Sequence, residues 1–414
     1  MNIWIINHYA MPPEYEMRPR TMLMAKYLQE FGHDVKIFSA STFHNTDINL
    51  IDKKGPLFID KNYDGLEYVH IKTSDYSGNG FSRIKNMFEF PFRFRKISKQ
   101  IMPNPDVIIC DLGAVLAPIP YFVSKKKKSR FVLEVRDLWP ESIIEYMGLS
   151  RKNILVKLMY SIEKWIYKKA DKLVFTMEGG RDYIIDKGWD LEHGGPIDLD
   201  KVHHINNGVD LDEFDKNKAR YTFNDDDLDD SNLFQVVYAG SIRQANNVKT
   251  IVDAAFEIKK LGFDDVKFLF YGDGGDRVPL TQYCTEKGLD NVVFKGNVEK
   301  KYIPYILSKS DLNILHFEQN SLKKYGPSLN KMFEYFASGK PTLSDCEFGY
   351  DIINRYKAGV SIDITEPEHL AEEIIKFYEM DDKQYCNYCL NALRAAKDYD
   401  YKHLIYEFES VISN

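Results

Sequence analysis

Tyr325-Gly326-Pro327-Ser328-Leu329-Asn330-Lys331-Met332-Phe333-Glu334-Tyr335-Phe336-Ala337-Ser338-Gly339-Lys340-Pro341 reads as a loop feeding a short helix that a glycine ends. Pro327 and Ser328 suit the start of that helix, because proline fixes φ and serine can cap. Leu329, Met332, Phe333 and Phe336 recur at helical spacing and face a core. Gly339-Lys340-Pro341 stops the helix, and Pro341-Thr342-Leu343-Ser344 begins the next strand. A helix N-terminus offers free N–H groups and partial positive charge, which suits phosphate. Lys331 adds a full charge there, with Glu334 three positions on and on the same face. A carboxylate is a poor neighbour for phosphate but suits the two hydroxyls of a ribose. Two readings stand for the helix alone: a holder for a nucleotide diphosphate, or an amphipathic helix whose Lys and Glu form a surface pair.

The 414 residues are long for one core and point to two domains. With 55 basic against 62 acidic residues the net charge is −7, which argues against bulk nucleic-acid binding. Five cysteines at irregular spacing fit a reduced compartment, and Cys386-x-x-Cys389 has no second pair to make a metal site. No apolar run is long enough for a signal peptide or a membrane span, so a cytoplasmic protein is expected.

From the start, Ile3-Trp4-Ile5-Ile6, a helix over 19–31 and Asp34-Val35-Lys36-Ile37-Phe38-Ser39 make a βαβ unit, hence a parallel sheet. Ligands bind beyond the C-terminal ends of such strands, so the loop 8–20, with Arg18, is a candidate site wall. It lacks a dinucleotide fingerprint. Val107-Ile108-Ile109-Cys110 and Phe131-Val132-Leu133-Glu134-Val135 are further strands, the second ending in Arg136-Asp137-Leu138-Trp139-Pro140-Glu141-Ser142. The stretch 81–102 interleaves Phe81, Phe88, Phe90, Phe92 and Phe94 with Arg83, Lys85, Arg93, Arg95, Lys96 and Lys99. Rings that enter headgroups and cations that meet anionic lipid are what peripheral membrane contact requires, with Lys125-Lys126-Lys127-Lys128-Ser129-Arg130 in support. The other reading is a helix with a Phe-rich core face and a basic outer face. His203 and His204 alternate faces on a strand, so they make no metal pair. The acidic run 225–230 reads as a solvated linker.

The second half repeats the strand–turn–helix pattern. Phe234-Gln235-Val236-Val237-Tyr238-Ala239 leads to Gly240-Ser241-Ile242-Arg243. Val266-Lys267-Phe268-Leu269-Phe270 leads to Tyr271-Gly272-Asp273-Gly274-Gly275, and Val292-Val293-Phe294-Lys295 to Gly296-Asn297-Val298. Glycine at a strand's exit lets backbone approach a ligand. The tail is helical over 366–380, 383–397 and 401–411.

The Asn-Lys-x-Phe-Glu-Tyr-x-x-x-Gly-Lys-Pro segment and Glu134-Val135-Arg136-Asp137-Leu138-Trp139-Pro140-Glu141-Ser142 resemble the GT-B-fold retaining glycosyltransferases of family four, and within them the bacterial capsule and O-antigen subgroup. The resemblance covers nearly the whole chain. It implies an α/β GT-B architecture: two Rossmann-like domains with a central cleft, 1–208 for the acceptor and 209–397 for the nucleotide sugar. A C-terminal piece, 398–414, returns to the first domain. It implies a sugar nucleotide, by family habit a UDP-sugar, as donor and a lipid-linked or oligosaccharide acceptor, with no metal and no cofactor. Lys331 and Arg243 would clamp the diphosphate, with Glu334 on the ribose. Arg136 and Asp137 would position acceptor or donor sugar, and Arg18 would face the acceptor. Gly240, Ser241, Gly272, Asp273, Gly274, Ser328, Leu329 and Asn330 would line the donor site, and Gly296, Asn297 and Val298 the nucleobase.

The chain departs from the family pattern in three places. Many members of the family it resembles carry a glutamate where Gly326 stands, often an Arg and a Lys where Ser241 and Asn246 stand, and often His-Asp where Arg136-Asp137 stands. Arg243 and Lys249 are near enough to replace one of the missing cations. Two other functions share these features: a GT-B epimerase of the UDP-GlcNAc 2-epimerase type, which needs no acceptor, and a non-catalytic scaffold that binds a sugar nucleotide.

Overall fold

The computed structural model describes residues 1–414 except Glu16–Arg18, Asn45, Asn79, Gln244, Ala245, Glu318 and Asn414, and except the side chains of Tyr146 and Met147. The chain divides into two compact units, Met1–Asn206 with Tyr401–Asn414, and Asn207–Asp400.

In chain order the first unit holds β1 (Asn2–Ile6), α1 (Arg20–Glu30), β2 (Asp34–Ala40), β3 (Phe58–Tyr63), β4 (Leu66–Ile71), α2 (Phe81–Ile97), β5 (Val107–Cys110), α3 (Pro118–Lys127), β6 (Arg130–Val135), α4 (Glu141–Met147), α5 (Ile154–Lys169), β7 (Lys172–Phe175), α6 (Gly180–Asp186) and β8 (Val202–His204). The strands form one sheet in the order β3-β4-β2-β1-β5-β6-β7-β8. The apolar runs Ile3–Ile6 and Val107–Cys110 are buried at its centre, as expected of strands covered on both faces. Only β3 runs antiparallel, paired to β4 through a turn at Asp64-Gly65. Both turn residues have positive φ, 51° and 91°, the signature of a tight hairpin. Sequence reading passed over this hairpin, although Asp-Gly between two strand-like runs is its usual mark. The helix Tyr401–Ser413 packs on α1, with Phe31 and Tyr406 edge to face at 5.9 Å.

The helix α2 is apolar on two faces. Phe90, Phe94 and Ile97 are buried, and Phe94 packs on Trp4 and Phe38. Phe81, Ile84, Phe88 and Phe92 point outward with exposures of 81%, 49%, 44% and 57%. The helix therefore has both a Phe-rich core face and a second apolar face in solvent. Among the described residues, no helix is long and apolar enough to cross a membrane.

The second unit holds α7 (Leu211–Arg220), α8 (Asp226–Asp229), β9 (Phe234–Ala239), α9 (Lys249–Lys260), β10 (Val266–Tyr271), α10 (Arg277–Lys287), β11 (Val292–Gly296), α11 (Ile303–Lys309), β12 (Leu312–Leu315), α12 (Asn330–Ala337), β13 (Thr342–Ser344), α13 (Ile352–Tyr356), β14 (Gly359–Ser361), α14 (Pro367–Tyr378) and α15 (Asp382–Asp398). Its sheet is wholly parallel in the order β11-β10-β9-β12-β13-β14. Chain order runs outward from β9 in one direction, then returns to start β12 on the other side. The reversal between β9 and β12 is the topological switch point, where ligands of open α/β sheets bind.

The acidic run is not a solvated linker. Asp225 is buried and caps α8, and its carboxylate also takes the Tyr271 hydroxyl at 2.9 Å and the Lys295 ammonium at 2.5 Å. Asp227 takes the same ammonium at 2.6 Å. The run is a tether that holds the segment before β9 onto β10 and β11.

Glu163 of α5 is buried; its Oε2 accepts from the Tyr183 hydroxyl at 2.9 Å, and its Oε1 has no hydrogen-bond partner among the described residues. Burial raises its pKa from 4.5 to about 8, against the pull of the Tyr183 and Tyr167 hydroxyls. The folded state thus favours the neutral acid. The stability this gives is complete below about pH 4.5 and is lost as pH rises through about 8. Glu163→Gln, neutral at every pH, should leave Tm unchanged near pH 4.5 and raise it by several degrees, on the order of 2–6 °C, above pH 8. Thermal unfolding at a series of pH values checks this; a gain equal at all pH would contradict it.

Candidate functional site

At the switch point the sheet parts. β9 pairs with β10 to its end, at Ala239↔Tyr271, and β12 pairs with β13 to its end, at Leu315↔Ser344. Between β9 and β12, however, pairing stops at Val237↔Asn313. The backbone of Ala239 would be left without ladder partners there, which is costly for a buried group. Tyr335 of α12 supplies both: its hydroxyl accepts from the Ala239 N–H at 3.1 Å and donates to the Ala239 carbonyl at 3.4 Å. Burial pushes this phenol well above its ordinary pKa, so it keeps its proton. The same bond seats α12 against the end of β9.

One turn earlier on α12, Lys331 reaches the same strand end. Its ammonium donates to the Tyr238 hydroxyl at 3.1 Å and lies 4.5 Å from that ring's centre. It also lies beside Gly240, where a Cβ would come within 2.9 Å of Nζ. Tyr238 in turn donates to the Ser241 carbonyl at 3.0 Å. Lys331 and Gly240 are therefore brought together at the parted edge, beside the start of α12.

Lys331 and Glu334 do not pair with each other. The Glu334 carboxylate contacts the ammonium of Lys300, which follows the Gly296-Asn297-Val298 turn. The surface-pair reading of this helix is thereby corrected: the two side chains go to different strand ends. Ser328 is not the helix cap either. Leu329 holds that position with no side-chain cap, and Ser328 Oγ instead accepts from the Asn207 N–H at 3.0 Å. The amide of Asn207 donates to the Ser328 carbonyl at 3.0 Å, so this loop is fastened to the start of the unit, and α12 begins without a cap from its Leu329 side chain.

The glycine turns lock together. Gly240 N–H bonds the Tyr271 carbonyl at 2.9 Å, Ile242 N–H the Asp273 carbonyl at 3.0 Å, and Gly272 N–H the Gly296 carbonyl at 2.7 Å. Gly272, at φ +149°, would put a Cβ 1.8 Å from the Gly240 carbonyl oxygen, so no other residue fits. Asp273 is turned back on its own loop, accepting from the Gly274 N–H at 2.7 Å and Arg277 Nε at 2.8 Å. Arg243 is exposed and lies against Gly274. Lys249 is used elsewhere, paired with Asp253 at 2.5 Å and set over the Tyr283 ring. Of the two replacement cations only Arg243 stays on the strand-end side. Asn246 and Ser241 brace each other, with Asn246 Nδ2 at 2.7 Å from Ser241 Oγ.

Gly326 explains one departure in backbone terms. Its φ is +70°, and a Cβ would come within 2.7 Å of the Gly349 carbonyl oxygen. The loop takes a path that excludes a glutamate at this position.

In the first unit Arg136 pairs with Asp111, not with its neighbour Asp137. Nη1 is 2.8 Å from Asp111 Oδ2, while Asp137 is exposed. Burial pulls the Arg136 pKa down, but the Asp111 and Glu134 carboxylates more than reverse this. Burial holds the Asp111 carboxyl up, at about 6, against Arg136. Asn7 joins by donating to Asp111 Oδ2 at 2.8 Å. Behind this pair Arg20, fully buried, donates to Glu134 at 2.8 Å and to the carbonyls of Ile205 and Asn206. These ends of β1, β5 and β6 form one charged cluster, and Asn7, Arg20, Asp111 and Glu134 were not expected in it. Arg18 lies outside the described residues. Among the described residues no three His, Cys, Asp or Glu side chains gather as a metal set.

The glycosyltransferase family 4 model matches residues 20–213, and the model for glycosyl transferases group 1 matches residues 222–394. A putative teichuronic acid biosynthesis glycosyltransferase, TuaH, of Bacillus subtilis is 25% identical over 247 residues, 56% of this chain and 55% of that protein. The match thus spans about half the length of that relative. Among solved structures, a glycosyltransferase from Rickettsia africae superposes with a TM-score of 0.66 at 17% identity, over 100% of this chain and 97% of the other. Alr3699/HepE of Anabaena, in complex with UDP and glucose, superposes at 0.65 with 14% identity, over 100% and 99%. The fold is GT-B, and each half of the chain matches one of the two glycosyltransferase family models.

Tyr335→Phe should leave both backbone groups of Ala239 unmatched and cost about 1–3 kcal/mol of stability. Tyr406→Phe, at an exposed hydroxyl, should cost less than about 0.5 kcal/mol. Denaturant unfolding of the two variants checks the difference.

Proposed function

We propose that the protein is a retaining glycosyltransferase that moves a sugar from a UDP-sugar to a saccharide acceptor, lipid-linked, in bacterial surface polysaccharide synthesis. The observation that carries the donor half is the Lys331 ammonium beside Gly240, at the parted end of β9 and next to the uncapped start of α12. An ammonium, a helix start without a side-chain cap and glycine backbone at one edge favour a diphosphate. Arg243, on the same turn as Gly240, adds a second cation. As the bond from sugar to diphosphate breaks, negative charge gathers on the departing phosphate, and these groups stabilise it. In this reading the acceptor hydroxyl enters on the face the diphosphate leaves, and no metal takes part.

Glu334 takes the ribose hydroxyls, with Lys300 holding its carboxylate until they arrive. A group that needs two vicinal hydroxyls favours UDP over a deoxyribose nucleotide such as dTDP. The Arg136–Asp111 pair, with Asp137 beside it, orients the acceptor. Support for the substrate class comes from the Anabaena relative solved with UDP and glucose, and for the role in polysaccharide from the similarity to TuaH.

Thermal shift with UDP-, GDP- and dTDP-sugars, without metal, tests this reading. One ribonucleotide sugar should raise Tm. Lys331→Ala should weaken binding roughly ten- to hundredfold, the range for a charge-assisted bond. Glu334→Ala should lose the preference for UDP over its 2′-deoxy analogue. Full binding in Lys331→Ala would refute the donor assignment.

The outward face of α2 supports peripheral attachment to the inner face of the cytoplasmic membrane. Phe81, Ile84, Phe88 and Phe92 form an exposed stripe, and Glu89, the helix's one acid, is already engaged by Arg93 at 3.2 Å and the Ser74 N–H at 2.7 Å. The later lysines contribute less: Lys125 pairs with Asp171 at 3.2 Å and Lys127 with Asn104 at 2.7 Å. The protein should sediment with anionic vesicles and little with neutral phosphatidylcholine vesicles. Phe81→Ser with Phe92→Ser should abolish sedimentation without changing Tm; unchanged sedimentation would refute the contact.

A further inference from the structure

The parted strand end opposite Gly240 carries a histidine that no part of the donor reading has used. His316 directly follows β12. Continuing the Val237↔Asn313 register sets it level with Gly240, across the opening that Tyr335 holds. Its side chain is 7% exposed, and Nδ1 is in contact with the carboxylate of Asp345, which follows β13 and is 2% exposed. Asp345 is itself fixed: its other carboxylate oxygen accepts from the Phe317 N–H at 3.4 Å, and its carbonyl from Gln319 Nε2 at 3.1 Å. Nε2 of His316 is buried with no partner among the described residues.

The chemistry of that orphan atom restricts what can meet it. A carboxylate that accepts at Nδ1 selects the tautomer with its proton on Nδ1, and that tautomer presents a lone pair at Nε2. A lone pair accepts; it needs an O–H or N–H. Phosphate oxygens are acceptors and cannot satisfy it. The ribose hydroxyls go to Glu334. The remaining hydroxyls of a sugar nucleotide are those of its glycosyl group. We propose that His316, held in one tautomer by Asp345, accepts a hydrogen bond from a hydroxyl of the transferred sugar and so selects the donor. The inference rests on the donor-site reading above. It gives the site a means to discriminate sugars, because a buried acceptor left unpaired by the wrong sugar is costly.

The experiment compares binding of UDP alone with binding of the UDP-sugar that gives the largest thermal shift, by calorimetry. Wild type should gain affinity from the sugar. In His316→Ala, UDP affinity should stay within about twofold while UDP-sugar affinity falls at least tenfold. His316→Gln, whose amide oxygen also accepts, should recover part of the loss. Asp345→Asn lets the ring move its proton to Nε2, which then donates, and should lose the sugar increment as His316→Ala does. If His316→Ala does not fold, monodeoxy UDP-sugars on wild type and Asp345→Asn decide. One deoxy position should weaken wild type and leave Asp345→Asn indifferent. An equal fall in UDP and UDP-sugar affinity, or no fall in either, would overturn the proposal. Wild type that binds no nucleotide at all would overturn the donor-site reading first, and this one with it.

Discussion

The hydroxyl of Tyr335 on Ala239 is the contact on which the site depends. Two parallel strands cannot part inside a sheet without stranding backbone groups, and each stranded group costs about as much as a lost hydrogen bond. β9 and β12 part after Val237↔Asn313, and one phenol closes the account for Ala239 on both its donor and its acceptor. The opening is thereby held by a helix, not by a loop. That same helix carries Lys331 one turn earlier, so the group that keeps the strands apart also sets the cation at the edge it opens. The geometry is inherited from packing: Met332, Phe333 and Phe336 bury the far side of α12 and fix its rotation.

Much of this was legible because it is local. The period of Met332, Phe333 and Phe336 gives the helix, and the glycines at 240, 272 and 296 mark three strand ends of the second half. Helices between successive strands give the parallel pairing in both sheets. What stayed hidden is long-range. Nothing near Glu334 in sequence announces Lys300, and nothing near Arg136 announces Asp111, 25 residues away. Arg20 reads as one more loop arginine, yet it is fully buried on Glu134, 114 positions distant. The run Asp225–Asp230 looked like solvent-facing charge because its partners, Tyr271 and Lys295, lie in strands that follow it. A buried carboxylate with two distant partners has the same sequence signature as an exposed one.

The departures from the family pattern are of two kinds. At Ser241 and Asn246, where the resemblance implies two cations, the two side chains hydrogen-bond to each other and brace the turn, and Arg243 is exposed beside them. At Gly326 the change is in the main chain. Gly326 and Gly349 sit back to back: a Cβ on the first would strike the Gly349 carbonyl, and one on the second would come within 1.9 Å of the Lys324 carbonyl. Restoring the glutamate by substitution alone would strain this contact, because both the φ and the space are those of glycine.

That distinction bears on charge at the donor edge. A carboxylate near a diphosphate raises the cost of binding unless it is matched, and each cation nearby lowers it. Against the pattern the resemblance implies, this chain lacks a carboxylate at 326 and two cations at 241 and 246, so the local sum differs by one charge, no more than a single substitution would change it. With fewer charges on both sides, orientation has to come from other groups. Hydrogen-bonding side chains on fixed strand ends, as His316 is by Asp345, supply it with less dependence on ionic strength than paired surface charges would.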